Sequence, residues 1–249
     1  MESAIRNYLK SCYSNYIQDI KKNVLGFPEK YVYPDGNPVR PVMPVELTRN
    51  KIMLIGAFPS ARFAKINNLL IPISDNLSPF GEEKYFDGQQ IRIQPSRESL
   101  NKNYFPQLTL KIDDLWLTDL VKIYLFPQKH IKNCKLVAPQ LEFVNTHDMF
   151  MKIAKASLFW MKQEIALCNP TLIITLGEVV ARVLGSDYET ENKILLNGSV
   201  NYVKFDKEYR IAHLAHPEIR RMNKEWDERT KVALEKLASP IQEILDSVR

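Results

Sequence analysis

A chain of 249 residues with 45% apolar residues can build a sizeable core, as one large domain or two small ones, which excludes a globally disordered polymer. Its formal charge of +5 permits nucleic-acid binding without requiring it. Cys12, Cys134 and Cys168 are far apart and odd in number, which argues against a disulfide framework or a four-cysteine metal site.

The three cysteines read as free thiols in a reducing compartment. The first 23 residues are broken by charges and lack an apolar h-region, so no signal peptide is expected there. No apolar run reaches the length that crosses a bilayer. The expected location is cytoplasmic, or nuclear in a eukaryote.

In chain order, Ile5, Tyr8, Leu9, Cys12, Tyr16, Ile17 and Ile20 recur at helical spacing and predict an amphipathic helix over 3–23. Residues 27–46 carry Pro28, Pro34, Pro38, Pro41 and Pro44, which predicts an extended lead-in draped over the surface. Four short apolar runs read as strands buried on both faces: "KIMLIG" (51–56), "LWLTDLV" (115–121), "TLIITLG" (171–177) and "RIAHLAH" (210–216). Between the second and third, a helix is predicted over 148–167, after the N-cap sequence "NTHD" and before Asn169-Pro170. "GEVVARVLG" predicts a short helix with glycine stops. A last helix is expected over 224–248, with Trp226, Val232, Leu237 and Ile244 inward and an end or kink at Pro240. Helices alternating with apolar strands predict an α/β three-layer αβα sandwich around a central four-stranded parallel sheet. One domain over 1–249 is expected, with residues 1–50 as its helix and lead-in.

Ligands of open α/β sheets bind at the carboxyl ends of the strands. The loops there begin at Gly56-Ala57-Phe58-Pro59-Ser60, at Thr118-Asp119, at Leu176-Gly177-Glu178 and at His213-Leu214-Ala215-His216-Pro217. Each has a purely structural alternative. Gly56 to Ser60 reads equally as a strand-to-helix turn with Ser60 as N-cap. Asp119 reads as a cap or a partner of Lys122, and His216 as a satisfied loop histidine. Three chemically able residues at three strand ends favour a site.

These residues resemble the uracil-DNA glycosylase superfamily over roughly Lys51 to Arg221. Its first motif, a strand followed by Gly-x-x-Pro-x, corresponds to Gly56-Ala57-Phe58-Pro59-Ser60. A Pro-Phe-Gly segment follows at Pro79-Phe80-Gly81, then "TDLVK", with Asp119 at the position of a base-reading asparagine. "PTLIITLGEVVARVLG" matches the next block, and "HPEIRR" the final His-Pro loop. The order is the family's throughout.

The resemblance implies a DNA base glycosylase-like protein: a hydrolase of base-excision repair that flips a uracil-type or other altered base out of DNA and cleaves its N-glycosidic bond. It implies that Gly56 to Ser60 approach the base or a phosphate and that Phe80 stacks on the base. His216 would donate a hydrogen bond to the base oxygen that becomes anionic, worth about 3 kcal/mol by analogy with single oxyanion donors. Pro217 and Ile219 would form the wedge, and Arg220 and Arg221 would hold phosphates. No metal, iron–sulfur cluster or other cofactor is expected, nor any partner besides single- or double-stranded DNA, and the protein is expected to be a monomer.

Two positions depart from the family pattern. Ala57 and Phe58 stand where active branches often carry Asp, Asn or Glu, so a base-binding protein that does not hydrolyse is the alternative. Asp119, when ionised, only accepts hydrogen bonds. It therefore suits an exocyclic amine of cytosine or adenine better than the O4 of uracil, or else serves as the missing acid. An unrelated α/β enzyme acting on a nucleoside or phosphorylated ligand is the third reading.

Overall fold

The structure, a computed structural model, describes residues 2–247 except for the side chain of Arg221. The strands in chain order are β1 (Ile52–Gly56), β2 (Ala61–Ile66), β3 (Leu69–Asp75), β4 (Tyr85–Phe86), β5 (Ile91–Arg92), β6 (Leu115–Asp119), β7 (Leu172–Leu176), β8 (Val200–Lys204) and β9 (Glu208–Leu214). The α-helices are α1 (Glu2–Asn23), α2 (Pro95–Ser99), α3 (Gln128–Val137), α4 (Phe150–Cys168), α5 (Glu178–Gly185), α6 (Asn192–Leu195), α7 (Pro217–Met222) and α8 (Lys224–Ser247). Contacts gather into two compact units, each assembled from three stretches of chain. The first takes the chain through Met43, then Phe58–Gln94 and Val121–Trp160. The second, the sheet unit, takes Pro44–Ala57, Pro95–Leu120 and the chain from Met161 onward.

The four expected strands lie side by side in the sheet unit in the order β6-β1-β7-β9, all parallel. Met53, Trp116, Ile173 and Ile211 are register neighbours on one face, and Leu54, Leu117, Ile174 and Ala212 on the other. All eight are buried, so both faces are covered and the sheet is a middle layer of an α/β fold. On the first face the buried Trp116 Nε1 donates to Glu164 Oε1 of α4 at 2.7 Å. The sheet has a fifth strand that the apolar-run rule misses. β8 pairs antiparallel with β9 at the edge and is partly exposed, so Asn201, Tyr202 and Lys204 interrupt its apolar pattern.

Helix α8 does not end at Pro240 but continues past it as one element. The missing backbone donor is offset by apolar residues buried on both sides of it, Leu234 and Leu237 before and Ile241, Ile244 and Leu245 after. Val232 does not point inward as expected. It is 65% exposed, because the buried stripe runs through Thr230, Ala233 and Leu237.

In the first unit α1 buries Tyr8, Cys12, Tyr16 and Ile20, a strict four-residue repeat. The proline-rich stretch is not merely draped on the surface. Tyr31, Tyr33, Val39 and Val42 are buried, Tyr33 OH donates to Asp75 Oδ1 at 2.8 Å, and Val42 N–H donates to Lys122 O at 2.7 Å. After Ser60 the chain forms not a helix but the antiparallel hairpin β2–β3. Asn67 and Asn68 at its tip both have left-handed backbones (φ 50° and 62°), the requirement of a type I′ turn. Ser60 caps nothing; its hydroxyl donates to Ala61 O at 3.3 Å. The three cysteines are buried and none is in a disulfide.

Candidate functional site

Within the sheet unit, the strand order sets the candidate residues along one edge. Gly56 closes β1 and lies in register beside Asp119, the last residue of β6, with Leu120 N–H donating to Gly56 O at 2.9 Å. Both are buried, Asp119 to 2% exposure. On the other side of β1, β7 ends at Leu176, and Gly177 N–H donates to Leu214 O of β9 at 2.8 Å. Asp119 thus ends β6 and His216 follows β9 by two residues, and β6 and β9 are the outer two of four adjacent strands, about 14 Å apart across the strand axes. Gly56 and Gly177 lie between them.

His216 is held from three directions. Proline at position 217 keeps its backbone extended (φ −68°, ψ 140°) and makes it the N-cap of α7. Its Nδ1 accepts the Glu218 backbone N–H at 3.2 Å. Behind it, Gly177 has φ +95°, and a side chain there would meet His216 Cβ at 3.4 Å. Only glycine takes that backbone without strain. Burial pushes the imidazole pKa below its usual 6.5, against an opposing pull from Glu218. A neutral ring whose Nδ1 accepts carries its proton on Nε2. His216 is therefore a neutral hydrogen-bond donor at Nε2.

The loop before it is tied down by a residue that no motif or spacing rule selects. Tyr104 OH donates to Ala215 O at 2.8 Å, and its ring carries the Arg220 guanidinium 5.5 Å from its centroid. Arg220 is the clear revision among the expected DNA-binding residues. It is 6% exposed, pairs through Nε with Asp227 at 2.5 Å and donates to Asn103 O at 3.1 Å. Its guanidinium joins α7 to α8 and to the segment before β6, instead of facing solvent for a phosphate. Pro217 is buried, Ile219 is 40% exposed on α7, and the side chain of Arg221 lies outside the described residues.

His213, on β9 three residues before His216, is buried, with Nδ1 2.7 Å from Thr175 Oγ1. Burial lowers its pKa from 6.5 to about 4, against a smaller opposing effect of Asp187. The unfolded chain takes up this proton below pH 6.5 while the folded one resists until about pH 4, so stability is lost as pH falls through that window. The expected loss is about 3 kcal/mol. Denaturant titrations from pH 7 to pH 4 should show it, and His213→Gln should flatten the slope.

Of the remaining expected residues, Ala57 belongs to the sheet unit, and Phe58, Pro59, Ser60 and Phe80 to the first. Ala57 is half-buried. In the first unit the Phe58 ring packs on His147 and Phe150, with centroids 5.6 and 5.9 Å away. Pro59 is buried and Ser60 exposed. Phe80 is buried and has a left-handed backbone (φ 49°) in a loop closed by two bonds, Gly81 N–H to Ser78 O at 3.1 Å and Leu77 N–H to Glu83 Oε1 at 2.8 Å.

Among the described residues no group of three or more His, Cys, Asp or Glu side chains is placed to hold a metal ion, and no helix is long and apolar enough to cross a membrane. A scan against protein-family models finds no match, and a search of curated proteins finds none either.

Proposed function

We propose that the protein is a DNA base glycosylase-like protein that takes an altered base out of the duplex at the strand-end edge of the sheet unit and releases it by cleaving the N-glycosidic bond. The observation that carries this reading is the state of His216, a neutral imidazole whose Nδ1 is occupied and whose Nε2 carries the proton. Cleavage leaves negative charge on the departing base. A fixed neutral donor stabilises that charge without first losing a proton, and such donors count most where water is excluded. Base extraction costs a few kcal/mol, and an altered or mispaired base costs least. Resemblance of five ordered motifs to the uracil-DNA glycosylase superfamily supports the same reading.

Asp119 supports a preference within it. When ionised, the buried Asp119 beside Gly56 only accepts hydrogen bonds, so it favours a base that presents an exocyclic amine over uracil, which presents O4.

One observation favours a second reading, base binding without cleavage. Ala57 offers only a methyl group, and Phe58 packs on His147 and Phe150, so neither supplies a side-chain oxygen to orient water. Base release and binding measured on the same oligonucleotides separate the two. The panel should carry uracil, cytosine, hypoxanthine and damaged bases. Tight binding without free base selects the second reading. Asp119→Asn is expected to shift preference toward uracil about tenfold, since one mismatched buried hydrogen bond costs about 1–3 kcal/mol. An unaltered preference removes Asp119 from base recognition.

A further inference from the structure

Charge is divided unevenly between the two units. The first carries sixteen Lys and Arg against ten Asp and Glu, a formal +6, and the sheet unit eighteen against nineteen, a formal −1. Half of the excess sits on one helix of the first unit. α3 holds Lys129, Lys132 and Lys135, all exposed, and the chain has no carboxylate from Leu120 through Leu141. Hairpin β2–β3, on which α3 packs, adds Arg62 and Lys65 and a single carboxylate, Asp75. Asp75 is engaged elsewhere, accepting from Tyr33 OH at 2.8 Å and from Arg40 N–H at 3.1 Å. Among the described residues no carboxylate pairs with any of the three lysines, the exposed Glu142 beyond the helix included.

Holding the helix in place does not require these lysines. α3 is fixed by its other side. Ile131 and Cys134 are buried, and Asn133 Nδ2 donates to Leu70 O of β3 at 3.1 Å. The His130 ring lies 5.0 Å from that of Phe63, and its Nδ1 is hydrogen-bonded to Tyr124 OH. The lysines work against the helix instead. Lys129 stands in the first turn, where a cation opposes the helix dipole and no acidic residue offsets it. Lys129 and Lys132, and again Lys132 and Lys135, are like charges three residues apart, which repel on a helix surface. Nothing within the chain compensates this face, so an external anion would.

The residue types select among anions. Interfaces with proteins are anchored by Arg and aromatic side chains and are poor in Lys, and the exposed face of α3 has neither anchor. A membrane-surface helix needs an apolar face turned outward, whereas α3 turns its apolar residues in and leaves Leu136, 70% exposed, as its one exposed large apolar side chain. Lysines are flexible point charges that meet phosphates without reading bases. We infer that the exposed face of α3 binds the sugar-phosphate backbone of nucleic acid, with Lys129, Lys132 and Lys135 each neutralising a phosphate. The inference rests on the nucleic-acid reading above and adds a place of contact in the first unit. It requires no base to be cleaved.

Fluorescence anisotropy of the full chain with a labelled duplex of ordinary bases, measured over a series of salt concentrations, tests it. Wild type is expected to bind at low salt. Lys129→Ala/Lys132→Ala/Lys135→Ala is expected to bind about tenfold more weakly or worse, with a salt slope lower by about two to three. Its melting temperature should equal or exceed that of wild type, because like charges are removed and alanine favours the helix. A lower melting temperature would give the lysines a structural role and overturn the inference. Taking the same charge from exposed positions on and after α1, with Lys10→Ala/Lys22→Ala/Lys30→Ala, should leave the slope as it is. An equal loss in that control would reduce the effect to net charge and overturn the placement on α3. Wild-type affinity and slope in the α3 variant would overturn it too, leaving the base-release reading standing. No duplex binding by wild type at low salt would overturn this contact and the nucleic-acid reading together, and binding to phosphatidylserine vesicles in that case would assign the face to a membrane.

Discussion

Replacing His216 with alanine is expected to slow base release at least a hundredfold. The substitution removes the donor at Nε2, and loss of one preorganised donor to a developing anion costs a factor of about 10² to 10³. It also removes the acceptor at Nδ1 for the Glu218 N–H, so a further loss of about 1 kcal/mol in stability is expected from the missing helix cap. The two effects are separable. His216→Asn restores a capping side chain and should recover stability without recovering the rate. Acidity gives a second readout. Because burial lowers the folded ring's pKa, the rate should fall only at a more acidic pH than the titration of a free imidazole. Protonating Nδ1 sets two donors face to face at Glu218 N–H and breaks the cap. Nitrogen-15 NMR at pH 7 should find the proton on Nε2, and an imidazolium at that pH would contradict the proposed role.

The second large effect concerns the fold rather than the chemistry. Arg220→Met is expected to destabilise the protein by about 3 kcal/mol, since removing one partner of a buried ion pair leaves the other charge uncompensated. Asp227 keeps 31% of its side chain exposed and retains Lys231 as a partner at 2.8 Å, which holds the cost toward the lower end. Adding Asp227→Leu should recover part of the loss, because the double variant strands no charge. Arg220→Lys should recover little, because an ammonium cannot reproduce the fork that meets Asp227 and Asn103 O together. Denaturant titration measures all three. Unchanged stability with weakened DNA binding would return Arg220 to the phosphate role that the motif suggested.

Arg220 also marks the limit of what the sequence makes legible. The parallel sheet was readable because β1, β6, β7 and β9 are buried on both faces and so are apolar throughout. The same rule is blind to β8, whose edge position lets Asn201 and Tyr202 face solvent. Hairpin β2–β3 leaves one trace in the sequence, the Asn67-Asn68 pair between two apolar runs, while its partly exposed strands lack a continuous apolar pattern. At the site, the histidine and its proline were visible as a local pair. The direction in which His216 can donate was not, because it is set by one backbone N–H and by Gly177, 39 residues upstream. Asp227 lies seven residues from Arg220 across a helix break and Asn103 lies 117 residues away, so no spacing rule links them, and an arginine beside His-Pro reads as a surface cation until its partners are known.

The account as a whole is tested most directly by incubating the full-length protein in excess over oligonucleotides carrying uracil, cytosine, hypoxanthine or a damaged base, and quantifying free base by chromatography. The account predicts that one or more of these substrates yields free base with wild type and at least a hundredfold less with His216→Ala. Absence of free base from every substrate, or equal release by both proteins, would contradict it.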